Sequence, residues 1–122
     1  MDYRSILNRI ESGLYSLTGS IPEEDPMRER FQGRMDQLMF LVGRVSDHIR
    51  PPYPTEVPPI YHYDPHGNGA AVEMEQLFDN LVLCIERGYG SSENMHVPRN
   101  SVQILRECCR RYIEDVGNHQ NQ

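Results

Sequence analysis

Four places in this chain carry side chains that could do chemistry. His62-Tyr63-Asp64-Pro65-His66 sets two imidazoles and a carboxylate within five residues, a donor set that zinc and other transition metals accept. Cys108-Cys109 offers two thiols with Arg106, Arg110 and Arg111 beside them. Nearby guanidinium groups lower a thiol's pKa wherever the sulfur is exposed. Pro58-Pro59-Ile60-Tyr61 fits P-P-x-Y, the short pattern read by WW domains. Such a polyproline segment is already extended and loses little entropy on docking. Lastly, Arg99, Asn100, Ser101 and Gln103, followed by Arg106 and Arg110, have side chains suited to base edges and phosphates.

Each constellation also has a plainer reading. Asp64-Pro65 and Gly67-Asn68-Gly69 are turn chemistry, and the histidines lack a second ligand pair at zinc-finger spacing. No metal and no cofactor is expected. One cysteine of the adjacent pair must face inward if its segment is helical, where a free thiol acts as a small hydrophobe. Neither a glycine-rich phosphate loop nor a nucleophile elbow is present. The chain is not expected to be an enzyme.

Composition narrows the partners. Net charge is −6 over 122 residues, which argues against indiscriminate attraction to phosphate backbones or anionic membranes. All twelve basic residues are arginine, a bias for which the sequence offers no account beyond composition. Three cysteines without CxxC spacing, no secretory leader pattern and no apolar run of membrane-spanning length predict a reduced compartment, cytoplasmic or nuclear, with no membrane association.

The elements that must position these residues are helical. Tyr3, Ile6, Leu7, Ile10, Leu14 and Leu17 recur at three-and-four spacing, which predicts a helix over 3–17. Asp25 as N-cap and Pro26 at the first helical position predict the start of a second helix running to about residue 49. Along it Met27, Phe31, Met35, Leu38, Val42 and Val45 form an apolar seam, widened by Met39, Phe40 and Leu41. Residues 71–87 and about 99–116 carry two further helical patterns, the first closed by Gly88 and the second by Gly117-Asn118. No alternating strand pattern occurs. The prediction is an all-α, four-helix bundle of two helical hairpins: 1–50, a Pro/Tyr/His-rich linker 51–69, a helical pair 70–117, and a tail 118–122. The linker holds six of the nine prolines, a composition suited to a stiff spacer.

The C-terminal half supports a further comparison. Val72-Glu73-Met74-Glu75-Gln76-Leu77, then Arg87-Gly88-Tyr89, then Val97-Pro98-Arg99-Asn100-Ser101-Val102-Gln103 stand in the order of a helix-turn-helix. Residues 58–112 resemble the N-terminal region of transposon-derived proteins with an integrase core. That resemblance implies DNA binding, with 99–116 as recognition helix and Arg99, Asn100, Gln103, Arg106 and Arg110 at the nucleic acid.

Two functions are therefore expected in order. The first is an intracellular helical protein–protein interaction module with the candidate WW ligand Pro58, Pro59 and Tyr61 in its linker. Its apolar seam either pairs with a second copy, giving a homodimer, or forms the core of a monomeric bundle. The alternative is a helix-turn-helix DNA-binding module.

Overall fold

The computed structural model describes residues 1–49, 51, 54, 56–58, 69–89 and 96–121. Every periodic segment forms a helix: α1 is Tyr3–Gly19, α2 Arg28–His48, α3 Gly69–Tyr89 and α4 His96–Gln120. No strand occurs among the described residues. None of the four helices is long and apolar enough to cross a membrane.

The helix ends depart from expectation for local reasons. Asp2 caps α1, its Oδ1 accepting the Ser5 N–H at 2.8 Å. Asp25 does not cap α2 directly. Its carboxylate accepts the Met27 N–H at 2.9 Å and its carbonyl accepts Arg28 N–H at 3.0 Å. Pro26 thus occupies a tight turn, and regular helix begins only at Arg28. α4 begins at His96, three residues earlier than predicted, because Pro98 falls where the missing N–H has no intrahelical partner to lose. It also continues through Gly117-Asn118 instead of fraying there. His119 Nε2 meets Asp25 Oδ2 at 2.7 Å, and the Gln120 side-chain amide donates to Ser20 Oγ at 2.7 Å. These two contacts hold the last turn against the α1–α2 loop.

Around the bundle the order is α1, α2, α4, α3, so α1 and α4 lie on one diagonal and α2 and α3 on the other. Neighbours run antiparallel. α2 meets α4 from Arg34–Asp115 at one end to His48–Ser101 at the other. α3 meets α4 from Glu75–Arg110 to Glu86–Arg99. α1 meets α3 with Gly13 beside Met74 and Met1 beside Cys84. Consecutive helices α2 and α3 therefore point the same way, so the end of α2 and the start of α3 lie at opposite ends of the bundle. At ~1.5 Å per helical residue that separation is about 30 Å. A single long crossover is a recognised way to close a four-helix bundle.

The crossover begins as part of the packed structure. Ile49 and Val57 are buried, and Pro54 is buried between them. Val57 N–H donates to Met1 O at 3.1 Å, while Met1 N donates to Val57 O at 2.6 Å. The linker is thus more than a spacer up to residue 57.

A single core joins both hairpins, with Ile6, Ile10, Leu14, Val45, Phe78, Leu81, Leu105 and Val116 fully enclosed. Its polar members are satisfied. Thr18 Oγ1 donates to Leu14 O at 2.9 Å and also meets the Tyr112 hydroxyl, which lies 3.4 Å from Phe31 O. Phe31 and Tyr112 meet edge-to-face at 6.1 Å, a favoured aromatic geometry. Arg34 lies 5.4 Å from the Tyr112 ring centroid and 2.8 Å from Asp115.

Candidate interaction surface

The predicted seam of α2 faces the chain's own core. Phe31, Met35, Leu38, Val42 and Val45 are each no more than 4% exposed, and Met27 packs half-buried at the edge. α1 and α4 of the same molecule cover them. Of the two readings of the seam, this burial accords with the bundle core: five of the six residues are enclosed by the chain itself and Met27 stands half-buried at the edge.

Phe40 is not part of that seam. At 3.6 residues per turn it lies roughly 180° around α2 from the buried stripe, and it is 67% exposed, more than Tyr15, Val97 or Ile104. Met39 and Leu41 flank it half-buried on either side. On the same outward face stand Gly33, Asp36, Gly43 and Arg44, all exposed. Asp36, Gln37, Phe40 and Leu41 form an open, shallow patch beside the ring. A hollow of about 170 Å³ follows, where α2 meets Cys108 and Arg111 of α4.

The glycines on this face are conspicuous. A Cβ at Gly33 or Gly43 would meet nothing within 4 Å, and neither has a left-handed backbone. A mid-helix glycine costs about 1 kcal/mol relative to alanine, and no close approach at the Cβ position requires one here. Asp36 accepts only a 3.3 Å contact from Gln32 Nε2, and Arg44 makes no ion pair among the described residues.

The arginines of α4 are placed differently. Arg106 reaches Glu75 at 2.6 Å and Asp79 at 2.8 Å, with its side chain only 14% exposed. Arg110 reaches Glu75 at 2.5 Å and Glu107 at 3.1 Å, and Arg99 reaches Glu86 at 2.9 Å. Hydrogen bonds from Arg110, then from Arg106, hold the Glu75 carboxyl down to about 2. Asn100 is exposed, and the exposed Gln103 donates to Glu107 at 3.1 Å. The structure thus brings Arg106 and Arg110 together with acids of α3 that no motif singled out. Their signal was present nonetheless: Glu75 and Asp79 are four apart, as are Arg106 and Arg110, so each pair shares one helix face.

The remaining sequence candidates divide by position. Pro58 is exposed immediately after buried Val57, whereas Pro59 and Tyr61 lie outside the described residues, as do His62, Asp64 and His66. Cys84 and Cys109 are buried and Cys108 half-buried. Burial pushes the Cys109 thiol up to about 12, so the nearby guanidinium groups do not make it a thiolate. A separate hollow of about 540 Å³ lies between α1 and α3, with Ser12, Ser16 and Arg9 above Leu17, Met74 and Leu77.

No family model matches the chain, and no curated protein or solved structure matches it either.

Proposed function

We propose that the protein is a non-enzymatic helical interaction module whose docking face is the outer surface of α2 centred on Phe40. The observation that carries this reading is the placement of a phenylalanine, 67% exposed, opposite the buried stripe of its own helix. An aromatic ring in water forgoes about 2 kcal/mol of burial, and aromatic residues are the commonest anchors of protein interfaces. Half-buried Leu41 and Met39 widen the apolar surface around it.

The test is a Phe40→p-benzoylphenylalanine variant photolysed in cells, with the same substitution at exposed Tyr15 on α1 as the comparison. Adducts from position 40 and none from position 15 support the reading. Absence of any protein adduct from position 40 refutes it.

A second component concerns the linker. Val57 is fixed by two backbone hydrogen bonds to Met1, and the next residue, Pro58, is exposed. That favours Pro58, Pro59 and Tyr61 as a WW-domain ligand presented from a fixed root. Tyr61→Ala should abolish capture by immobilised WW domains while leaving the helical circular dichroism unchanged; capture that survives the change removes the motif. The DNA-binding alternative draws less support, because Arg99, Arg106 and Arg110 already face carboxylates at 2.5–2.9 Å. Its signature would be salt-dependent duplex binding weakened by Arg99→Ala.

A further inference from the structure

The outer face of α2 has a symmetry of its own. Asp36 lies four residues before Phe40 and Arg44 four residues after it, about 6 Å along the helix on either side. The two are eight residues apart, beyond the i,i+4 reach at which helix side chains pair. They therefore cannot neutralise each other within one chain.

We propose that the partner of this face is a second copy of the chain, docked with α2 antiparallel to its counterpart about a two-fold axis passing at Phe40. This inference rests on the interaction-module reading and specifies the occupant of the same surface. In a two-fold interface residue i meets j and j meets i. An axis at Phe40 stacks the two rings on each other. The same operation brings Asp36 opposite the second copy's Arg44 and Arg44 opposite the second copy's Asp36. Gly43, three residues after the axis, falls at the axial level of the second copy's Gln37, on the other flank of the interface.

Charge complementarity between Asp36 and Arg44 favours this occupant and this register. A parallel alignment would set Asp36 on Asp36 and Arg44 on Arg44, and like charges directly opposed are destabilising. The glycines fit the same picture. Without a Cβ at Gly33 and Gly43 the face carries no bulk at those positions, which leaves room beside the stacked rings for long side chains of the second copy. Their cost within the monomer is thereby offset in the pair. One helix face is a small interface, below the ~1,200 Å² typical of stable complexes. Association is accordingly weak, in the range of roughly 10 µM to 1 mM. The −6 charge on each copy opposes it mainly at low salt, since at physiological salt charges beyond about 8 Å are screened.

The experiment is light scattering on the full chain from about 10 µM to 1 mM, a range spanning the expected affinity. It uses wild type, F40E, D36R, R44D, and an equimolar mixture of the last two. The expected wild-type mass rises from 14.2 kDa toward twice that value. D36R and R44D alone each associate at least about tenfold more weakly, because each sets like charges against one another twice. The mixture recovers association, because every facing position again carries opposite charges. These positions are exposed, so unchanged circular dichroism will certify the fold of each variant.

A wild type that stays at 14.2 kDa throughout overturns the proposal. So does a dimer abolished by F40E in which D36R and R44D neither weaken alone nor complement when mixed. That second outcome removes the two-fold register while the α2 face itself stands. Failure of the broader reading shows separately, as no protein adduct of any kind from position 40.

Discussion

Glu75 is the acid on which the α3–α4 interface turns, and replacing it with glutamine tests how much that interface contributes. Its carboxylate accepts from Arg110 Nε at 2.5 Å and Nη2 at 2.8 Å, and from Arg106 Nη2 at 2.6 Å. The fall of its pKa from 4.5 to about 2 corresponds to a ceiling of about 3 kcal/mol at ~1.4 kcal/mol per pH unit. The side chain is 32% exposed, and solvent screening brings the expected contribution down to about 1–2 kcal/mol. Because the folded-state pKa is depressed, this stability is fully present above pH 4.5 and is lost as pH falls toward 2. Urea unfolding of wild type and Glu75→Gln should differ by that amount at pH 7 and converge as pH approaches 2. Other carboxylates titrate in the same window, but they do so in both proteins and cancel in the difference. A difference that stays constant from pH 7 to pH 2 would refute the assignment, because glutamine cannot titrate and the gap must close. A Glu75→Gln variant as stable as wild type at pH 7 would show that Asp79 and Glu107 hold the two arginines unaided.

Three further outcomes are expected. Thr18→Val removes the closer partner of the buried Tyr112 hydroxyl and leaves only the 3.4 Å contact to Phe31 O, so thermal unfolding should report a loss of about 1–3 kcal/mol. Gly43→Ala, at an exposed helical position with open space around it, should stabilise the monomer by about 1 kcal/mol in dilute chemical denaturation. No gain would mean that the backbone there is not regular helix. A thiol reagent should label half-buried Cys108 on mixing, while Cys84 and Cys109, both fully buried, should react only at the rate of opening. Equal rates at all three would place α4 in a different rotation from the one described.

Much of the fold was legible because three-and-four spacing is a property of the chain itself. All four helices were found, and the inward residues of α2 from Phe31 to Val45 were named. Helix ends were less so, since they depend on competition for hydrogen bonds. The Asp25 carboxylate bound Met27 in place of the first helical N–H groups, and His119 found Asp25 from 94 residues away. The pairing into two hairpins, α1 with α2 and α3 with α4, was legible; how the second hairpin is set against the first was not. A run rich in proline shows that a connection is extended, but only the Val57–Met1 pairing and the Met74–Gly13 approach show that it joins opposite ends of the bundle.

The outward face of α2 lay hidden for a related reason. Met39, Phe40 and Leu41 are consecutive, so any count of apolar residues adds all three to the seam, yet successive helical side chains diverge by ~100°. Once α1 and α4 fix which direction is inward, Phe40 alone of the three points straight out. Only then does the placement of Asp36 and Arg44 at equal distances on either side of it acquire meaning. Read along the chain, an acid, an aromatic and a base at intervals of four are an ordinary solvated face. Set on the side of a helix away from its core, they form a pattern that an antiparallel copy of itself satisfies twice. The fold therefore does more than expose this surface, because it supplies the phase without which the symmetry of 36, 40 and 44 could not be read.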